Sequence, residues 1–414
     1  MTTQYDVVIV GGGLVGATLA LALLRSARLA PQRLCVLEKS APSLWTPAGA
    51  PDLRVLALSR SSERILSSVG VWDRVLAARA FAYQRMHIWH ASEAARSAAA
   101  LRFDAADLAQ PNLGHIVENA LLIHMLQQQL HAQGIALRQA SLDGLTYGPT
   151  ALQLQVGGET LSTRLLVGAD GARSTVRKLA GLWMNSEDYG QSGLVANIRS
   201  ERPHEHTAWQ RFLGDGTLAL LPLGQHECSI VWSVPTRKAQ ALQAMPSAEF
   251  NRELTQASDS VLGSLSLLGA RASFPLRRMS ALQYVQERCA LIGDAAHVVH
   301  PLAGQGANLG LLDAAALADV LGSAEAQRED LGAVRLLRRY ERWRKSENEL
   351  MSRAFDAFNS LLSFGDGAAA RLAQRGLGWV GRSEALRRLF MTRALGMAGE
   401  LPSAAMTASA AGQL

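Results

Sequence analysis

The sequence predicts an α/β protein made of a Rossmann-type domain, an inserted antiparallel-sheet domain and a helical C-terminal region. The opening strand YDVVIV, a glycine-rich turn, an apolar helix and the strand RLCVLE together form a βαβ unit. From about Leu182 to Leu282, polar and apolar residues alternate between Gly-Asp-Gly and Pro-Leu-Gly turns, which is typical of antiparallel strands. After Gly310 the pattern is mostly helical.

Composition narrows the class of protein. The chain has 414 residues, of which 48% are hydrophobic and 18% charged, as in a soluble globular enzyme with more than one structural unit. A net charge of +6 without a dense Lys/Arg block argues against a nucleic-acid partner. Cys35, Cys228 and Cys289 lack C-x-x-C spacing, so we expect buried thiols in a reducing cytoplasm.

One uncharged stretch, Val7 to Leu24, has the length of a membrane span. Its three consecutive glycines and its leading β-branched strand instead favour a buried strand, turn and helix. It also lacks the basic leader and the cleavage site of a signal peptide. We therefore expect neither a transmembrane helix nor export.

A G-x-G-x-x-G motif directly follows the first strand. Gly11 would allow the tight turn, Gly13 would let a pyrophosphate approach the backbone, and Gly16 would let the helix pack closely on the strand. The phosphate charge would then meet free N–H groups at the helix N-terminus. Glu38 ends the second strand about twenty residues later, where a carboxylate binds a ribose hydroxyl. The motif predicts a dinucleotide but does not separate FAD from NAD.

A second turn lies in LLVGADGARSTVR. A buried strand ends at Asp170, and Ser174 can cap the helix that follows. An ordinary capped turn, with Asp170 as the turn former, accounts for these residues. That interpretation leaves Arg173 and Arg177 as surface charges.

The third motif, GDAAHVVHPLAGQGANLG, follows the buried run CALIG. Asp294 would lie at the carboxyl edge of a parallel sheet, where α/β folds bind ligands. Pro301 would stiffen the loop, and Gly304 and Gly306 would let a flat ring lie against the backbone. A helix beginning near the second of these glycines would aim its N-terminus at the ring, and Asn308 would add an amide. Such a site suits a flavin.

Histidines in this stretch raise the question of a metal or a general base. His297 and His300 lack a third ligand nearby, so we predict no metal. We expect both to be loop histidines bonded to the backbone, although a histidine can act as a base. No catalytic residue is assigned. Trp232, in SIVWSVP, is expected in the core or wall of the sheet.

Taken in order, these three motifs resemble those of the class A flavoprotein monooxygenases, which have the para-hydroxybenzoate hydroxylase-like fold. In that class the glycine motif holds the ADP part of FAD, the Asp-Gly motif serves FAD and the nicotinamide donor, and the Gly-Asp motif holds the ribityl chain. The chain has a closer resemblance to the ubiquinone-biosynthesis hydroxylases, over nearly its whole length. The segments that carry it are DLRVLALSRSSERILSSVGVWDRV, PNLGHIVEN, SIVWSVP, YERWRKSEN and ALGMAGELP.

The resemblance implies a set of FAD-binding residues. Arg54 would approach the pyrophosphate, Asp294 would take a ribityl hydroxyl, and residues 304–308 would face the pyrimidine edge of the flavin. The full set is Gly11, Gly13, Gly16, Glu38, Arg54, Asp170, Gly293, Asp294, Gly304, Gln305, Gly306, Ala307 and Asn308. Ala307 departs from the family, which commonly has a larger apolar residue there, so more room is left beside the ring.

The implied activity is hydroxylation of a prenylated phenol intermediate of ubiquinone biosynthesis. NAD(P)H would reduce FAD, and O₂ would form a flavin hydroperoxide that inserts oxygen into the ring. A flavin-dependent prenyl reductase and a non-catalytic flavoprotein subunit of a quinone-biosynthesis assembly are the alternatives. A flavin-dependent halogenase is disfavoured, because Ile230 stands where the first Trp of a W-x-W-x-I-P segment is expected.

Partners and location follow from this resemblance. The partners would be the prenylated phenol, O₂ and NAD(P)H, with no nucleic acid. A long prenyl tail favours contact with a membrane edge or membership of a quinone-biosynthesis complex, and a homo-oligomer is left open. The expected location is the cytoplasm, at the periphery of the inner membrane.

The predicted domain boundaries interleave two units. Residues 1–181 form the first part of the FAD-binding domain, with a substrate-domain excursion near 76–110. The antiparallel-sheet substrate domain takes 182–282, and the FAD-binding domain resumes over 283–345. Residues 346–414 form the C-terminal helical region.

Overall fold

The computed structural model describes residues 3–27, 29–41, 44–97, 100–299, 304–323, 329–363, 392, 396 and 398–406. The strands are β1 Thr3–Val10, β2 Leu34–Glu38, β3 Val55–Leu58, β4 Ala80–Tyr83, β5 Arg85–His90, β6 Leu101–Asp104, β7 Gly114–Glu118, β8 Ala136–Gln139, β9 Leu142–Tyr147, β10 Leu152–Val156, β11 Glu159–Gly168, β12 Met184–Ser200, β13 Thr207–Leu213, β14 Gly216–Pro222, β15 Glu227–Pro235, β16 Leu265–Ala281, β17 Val285–Gln286, β18 Cys289–Leu291 and β19 His297–Val298. The helices are α1 Leu14–Ser26, α2 Arg60–Ser68, α3 Trp72–Arg79, α4 Asn119–Ala132, α5 Thr175–Leu179, α6 Thr236–Ala244, α7 Ser247–Ala257, α8 Gln305–Gly322 and α9 Val334–Ser363.

The first sheet is built around the N-terminal βαβ unit and has the order β17-β18-β11-β1-β2-β8. Strands β18, β11, β1, β2 and β8 run parallel, so their carboxyl ends lie along one edge. Helices α1 and α4 pack on this sheet, and α8 packs against α1. Helices α1 and α8 approach closely, because a side chain on Gly310 would come within 2.7 Å of Val15 Cγ2.

The second sheet has the order β19-β16-β12-β15-β14-β13-β5-β6 and is antiparallel except where β5 runs parallel to β13. One face is apolar and packs against α6 and α7, with Leu194, Ile230, Trp232 and Phe250 fully buried there. Trp232 is therefore a core residue, as expected. The other face looks toward the carboxyl edge of the first sheet and forms a wall of the cavity described below.

A small third sheet, β3-β7-β4, was not predicted from the sequence. Helices α6 and α7 were also missed, because their apolar faces are short and interrupted by charged residues. The predicted mixed α/β fold is confirmed, whereas the assignment of these sheets to separate domains stays a prediction. The small, polar tail SAAMTASAAGQL, residues 403–414, is expected from its sequence to fray, but its first residues form an ordered 3-10 turn, Ser403–Ala405, with Ala405 buried. The rest of the tail, beyond residue 406, lies outside the described residues.

Two expectations from composition concern burial and membrane spans. All three cysteines are free and buried, as predicted. Burial raises the pKa of the Cys35 thiol to about 11 and those of Cys228 and Cys289 to about 12, so they stay protonated near neutral pH. Among the helices of the described ranges, none is long and apolar enough to cross a bilayer.

Candidate active site

Four neighbouring strands of the first sheet bring the predicted motif residues together. The glycine turn follows β1, Glu38 ends β2, Asp170 follows β11, and Gly293 and Asp294 follow β18. Because β18, β11, β1 and β2 are consecutive neighbours with parallel directions, these turns share one edge of the sheet. Residues far apart in the sequence therefore meet at one place.

The glycines of the first motif have different physical roles. Gly11 has φ +106°, and a Cβ there would lie 2.3 Å from the Ala169 carbonyl oxygen. A Cβ on Gly16 would lie 2.0 Å from the Gly11 carbonyl oxygen, so both glycines are required for close packing. A Cβ on Gly13 would meet nothing within 4 Å, and Gly13 borders the cavity. That space is where a ligand can approach the backbone.

Glu38 is held by the turn that it faces. Its Oε2 accepts the Gly12 N–H at 2.7 Å, and its Oε1 accepts the Ser40 N–H at 3.0 Å. Each carboxylate oxygen keeps a further acceptor position. The carboxylate is thus fixed at the end of β2, where a ribose hydroxyl can donate to it.

Asp170 caps the helix that follows it. Its Oδ2 accepts the N–H groups of Thr175 at 2.6 Å and Val176 at 3.2 Å. Ser174 caps the same helix, since its Oγ accepts the Arg177 N–H at 3.0 Å. The capped-turn interpretation therefore describes the geometry, and a ligand role for Asp170 stays a prediction.

Arg177 is not the surface charge that the capped-turn interpretation leaves it as. Its guanidinium is buried and donates to the carbonyl oxygens of Ala172 at 2.8 Å and Ala295 at 2.9 Å. Burial lowers the pKa of Arg177, partly offset by Asp170. Because those carbonyls belong to the second and third motifs, Arg177 ties the two turns together.

Asp294 lies in a short 3-10 turn, Gly293–Ala295, after β18. Burial raises the pKa of its carboxyl, and the positive charge of Arg54 opposes that shift. Arg54 is exposed on the far wall of the same cavity. The Asp294 carboxyl and the Arg54 guanidinium therefore line the same cavity.

The loop that carries Arg54 is held from two sides by residues that sequence reasoning missed. Asn197 on β12 donates from Nδ2 to the Pro51 carbonyl oxygen at 2.9 Å. Glu118 on β7 accepts the Asp52 N–H at 2.7 Å and pairs with Arg79 at 3.1 Å. The second sheet thus helps to position a residue that directly precedes the third sheet.

Helix α8 begins with its N-terminus at the cavity. Its N-cap is Gly304 with φ +65°, and no side chain caps it. Gly306 and Ala307 line the cavity, and the nearest atom to a Cβ on Gly306 would be 4.0 Å away. The uncapped N–H groups give this wall a partial positive charge. Pro301 and His300 lie outside the described residues.

Asn308 and Gln305 are buried in α8. Asn308 accepts the Ser59 N–H at 3.0 Å and the Ser62 hydroxyl at 2.7 Å, and donates to the Ala57 carbonyl oxygen at 2.9 Å. Its amide therefore joins α8 to the turn between β3 and α2. A direct contact of Asn308 or Gln305 with a flavin stays a prediction.

A buried charge cluster behind the third motif was also missed. Asp313 accepts His297 Nε2–H at 2.5 Å and the Gly293 N–H at 3.1 Å through Oδ2. Its Oδ1 accepts Arg344 Nε–H at 2.9 Å and Asn348 Nδ2–H at 3.1 Å. Burial alone would raise the pKa of Asp313, but His297 and Arg344 hold it at about 2. An aspartate within the apolar helix GLLDAAALA was the available signal.

His297 differs from its expected role, because its bonded nitrogen meets a carboxylate rather than the backbone. Its ring also stacks on Tyr284, with centroids 5.9 Å apart. Over the described ranges, no group of three or more His, Cys, Asp or Glu side chains could hold a metal ion.

One cavity of about 830 Å³ joins the motif turns to the open face of the second sheet. That volume falls in the range of small-molecule and cofactor sites, about 300–1,000 Å³. Phosphates and a flat anionic ring can be bound by three features of the cavity. These are the open space at Gly13, the two helix N-termini without side-chain caps and the Arg54 guanidinium. The residues present therefore fit FAD.

Comparison with known proteins agrees with this fit. Residues 4–353 match the family model described as an FAD binding domain. The chain is 38% identical to the 3-demethoxyubiquinol 3-hydroxylase of Escherichia coli (strain K12), covering 96% of this chain and 100% of that protein. It is 37% identical to the ubiquinone hydroxylase UbiL of Rhodospirillum rubrum, with 94% and 89% covered. The mitochondrial ubiquinone biosynthesis monooxygenase COQ6 of Homo sapiens is 35% identical, with 87% and 86% covered.

Solved structures share the fold. PqsL, a probable FAD-dependent monooxygenase from Pseudomonas aeruginosa, has a TM-score of 0.74 at 23% identity, with 91% of this chain and 99% of that chain covered. The p-nitrophenol 4-monooxygenase PnpA from Pseudomonas putida has a TM-score of 0.74 at 19% identity, with 97% and 100% covered. At these identities the likeness concerns architecture alone.

Proposed function

Because the chain belongs to the family of FAD-dependent hydroxylases of ubiquinone biosynthesis, we propose that it hydroxylates the ring of a prenylated phenol. It is an FAD-dependent monooxygenase that uses NAD(P)H and O₂. The observation that carries the proposal is one cavity, which joins the glycine-rich turns at the edge of the first sheet to the open face of the second sheet.

The proposed cofactor contacts divide along the sheet edge. Gly13 and the α1 N-terminus would hold the pyrophosphate with Arg54, and Glu38 would take the adenosine ribose. Asp294 would take a ribityl hydroxyl. The glycine backbone at the start of α8 would face the ring, since a side chain at residue 306 would stand in open space beside it.

Bound FAD would accept a hydride from the nicotinamide and activate O₂, which no side chain can do alone. The chain's own contribution would be to orient the ring, exclude water and stabilise negative charge. The uncapped N-terminus of α8 supplies N–H donors and a partial positive charge toward the cavity. The second sheet forms the opposite wall and would help to exclude water from the ring.

No catalytic base is proposed. Among the described lining residues the titratable ones are Asp52, Arg54, Tyr83, Arg277 and Asp294, with no histidine or lysine. Burial raises the pKa of Tyr83 well above its usual range, so its hydroxyl stays protonated. The chain would act on the phenol by positioning rather than by a dedicated base.

Peripheral membrane contact is part of the proposal, together with a cytoplasmic location. The neighbours Trp183 and Leu282 are exposed side by side, since the Leu282 N–H bonds to the Trp183 carbonyl at 2.9 Å. Lys345 Nζ lies 2.5 Å from the Leu282 carbonyl oxygen. Aromatic, apolar and basic groups together suit an anionic bilayer surface. A quinone-biosynthesis complex and a homo-oligomer remain predictions.

The test is an assay on purified protein. We expect a yellow protein that oxidises NAD(P)H faster when a prenylated phenol is added, with a product heavier by one oxygen in the mass spectrum. FAD without substrate-dependent turnover would favour the non-catalytic subunit, and turnover without oxygen insertion would favour the reductase. A colourless protein that cannot be reconstituted with FAD would contradict the proposal.

A further inference from the structure

Two rows of residues cross the cavity-facing side of the second sheet. Cross-strand partners in the first row are Thr217, Ser233, Gly193 and Phe274, on β14, β15, β12 and β16. Partners in the adjacent row are Gln210, Ala219, Val231, Val195 and Ala272, on β13, β14, β15, β12 and β16. Because the rows are two residues apart along each strand, both face the same side.

One half of this surface is polar. Gln210, Thr217 and Ser233 are 6%, 5% and 4% exposed, and all three border the cavity. Thr217 Oγ1 is shielded from solvent and has no hydrogen-bond partner within the described part of the chain. Buried polar groups are normally paired, so this unpaired hydroxyl, beside the polar side chains of Gln210 and Ser233 at the cavity wall, indicates a polar ligand group.

The other half is apolar and reaches the sheet edge. A Cβ on Gly193 would lie 3.0 Å from Phe274 Cζ, so the missing side chain makes room for that ring. Phe274 is 42% exposed. Strand β16 pairs with β19 only at Met279 and Ser280, which leaves the Phe274 region as an edge among the described strands. An apolar path therefore runs from the cavity to solvent.

We infer that this division orients the substrate: the oxygen-bearing end of the ring lies at Gln210, Thr217 and Ser233, and the prenyl tail leaves across Gly193 and Phe274. Ala219 and Val231 lie beside Thr217 and Ser233 on β14 and β15, where they would form a flat apolar floor for the ring. Strands β14 and β16 are three strand spacings apart, about 14 Å. This distance exceeds the width of one ring, so the ring and the start of its tail both fit across the sheet. The inference rests on the proposed function and adds which end of the ligand lies where.

The test compares two phenols that share one ring, one without a tail and one with a tail of several isoprene units. Dissociation constants are measured on the FAD-loaded protein, without NAD(P)H, from the change in flavin absorbance. Phe274→Ser should weaken the tailed phenol about tenfold, because buried apolar contact is lost, and should leave the tail-less phenol unchanged. Leu350→Ser, an exposed apolar residue on α9, is the matched control and should change neither.

Variants of the polar residues should affect the binding of both phenols rather than of the tailed phenol alone. Gln210→Leu should weaken both phenols by about the same factor, on the order of tenfold, because a hydrogen bond to the shared ring is lost. Thr217→Val keeps the side-chain shape and tests the same point if the first variant binds FAD poorly. Flavin content and melting temperature establish that each variant is folded.

The possible results distinguish a failure of the proposed substrate orientation from a failure of the proposed function. If Phe274→Ser weakens both phenols equally, or neither, the orientation is wrong while the hydroxylase function stands. If Gln210→Leu and Thr217→Val change only the tailed phenol, the orientation is reversed. If the unaltered protein binds neither phenol, the proposed function and this inference both fail.

Discussion

The carboxylate of Asp313, in the middle of α8, accepts the backbone N–H of Gly293 at 3.1 Å. The helix that would face the flavin is thereby joined to the turn that presents Asp294. The same carboxylate is neutralised by Arg344 from α9. Three elements that are distant in sequence therefore share one buried charge.

Replacing that charge should be costly. In Asp313→Asn the Arg344 guanidinium stays buried without a counterion, so we expect the free energy of unfolding to fall by about 3–5 kcal/mol. FAD affinity should fall as well, because asparagine has one acceptor oxygen where the carboxylate uses two, for the Gly293 turn and for α9. Urea unfolding and flavin titration measure the two effects. Asp215→Asn, an exposed pair with Lys238, should change neither by much.

The difference in unfolding free energy between the unaltered protein and Asp313→Asn should depend on pH in a defined direction. The pKa of Asp313 is lowered to about 2, so its stabilising effect is complete above the pKa of an unfolded aspartate, about 3.9. It disappears as the pH falls toward 2. The gap between the unaltered protein and Asp313→Asn should stay constant from pH 7 to 5 and narrow below about 4. A gap that closes near pH 6 would contradict this.

The glycine motif offers a matched pair of variants. Gly13→Ala places a methyl group in open space at φ −76°, so the apoprotein should melt at an unchanged temperature while the dissociation constant for FAD rises at least about tenfold. Gly11→Ala should destabilise the apoprotein itself, because its φ is +106° and its methyl would meet the Ala169 carbonyl. A normal FAD affinity in Gly13→Ala would contradict the proposal that this turn binds the pyrophosphate.

Asn197 should influence FAD although it belongs to the second sheet. Asn197→Ala removes the donor to Pro51 and loosens the loop that carries Arg54. We expect a loss of about 1 kcal/mol in FAD binding, or roughly fivefold, with faster proteolysis of the loop around residue 50. Asn185→Ala, at an exposed position of the same strand β12, is the control. An unchanged FAD affinity would show that the Asn197 bond does not position the loop.

His87 should make the protein sensitive to mild acid. Its ring stacks on Trp209 at 4.8 Å, and burial lowers its pKa to about 4. Between pH 6.5 and 4 the unfolded chain binds a proton that the folded protein excludes, so stability falls as the pH falls, by on the order of 2–3 kcal/mol. His87→Phe should flatten this slope, whereas His131→Phe, at an exposed site, should retain it. Equal slopes in all three proteins would contradict the assignment.

The parts that could be predicted from sequence are those whose causes are local. Gly11 and Gly16 are required by a single strand–turn–helix connection, and Ser174 caps the helix that begins beside it. Glu38 was placed correctly at a strand end, and Asp294 lies in the turn that directly follows a strand, because apolar runs stop just before both residues. Local pattern and chain direction were sufficient in each case.

The missed parts depend on contacts between distant segments. Arg177 looks like a surface charge until the Ala295 carbonyl is brought beside it. Asp313 finds its partners at residues 293, 297, 344 and 348, a combination that no spacing rule specifies. The polar half of the cavity wall comes from strand register, which alternation alone does not fix. Long-range pairing, rather than local preference, decided these features.

The strand order of the first sheet also determines when its strands can pair during translation. Strand β1 leaves the ribosome first, yet its neighbour β11 begins only at Glu159, and β18 completes the group from Cys289. Until residues beyond 310 have emerged, the glycine turn has no opposing helix N-terminus. Strand β2 can pair with one edge of β1 early, but the nascent chain must keep the other edge of this apolar strand unpaired until β11 has emerged, and that edge is meanwhile exposed to aggregation and to chaperones. Flavin capture becomes a late event that follows, rather than guides, the assembly of this sheet.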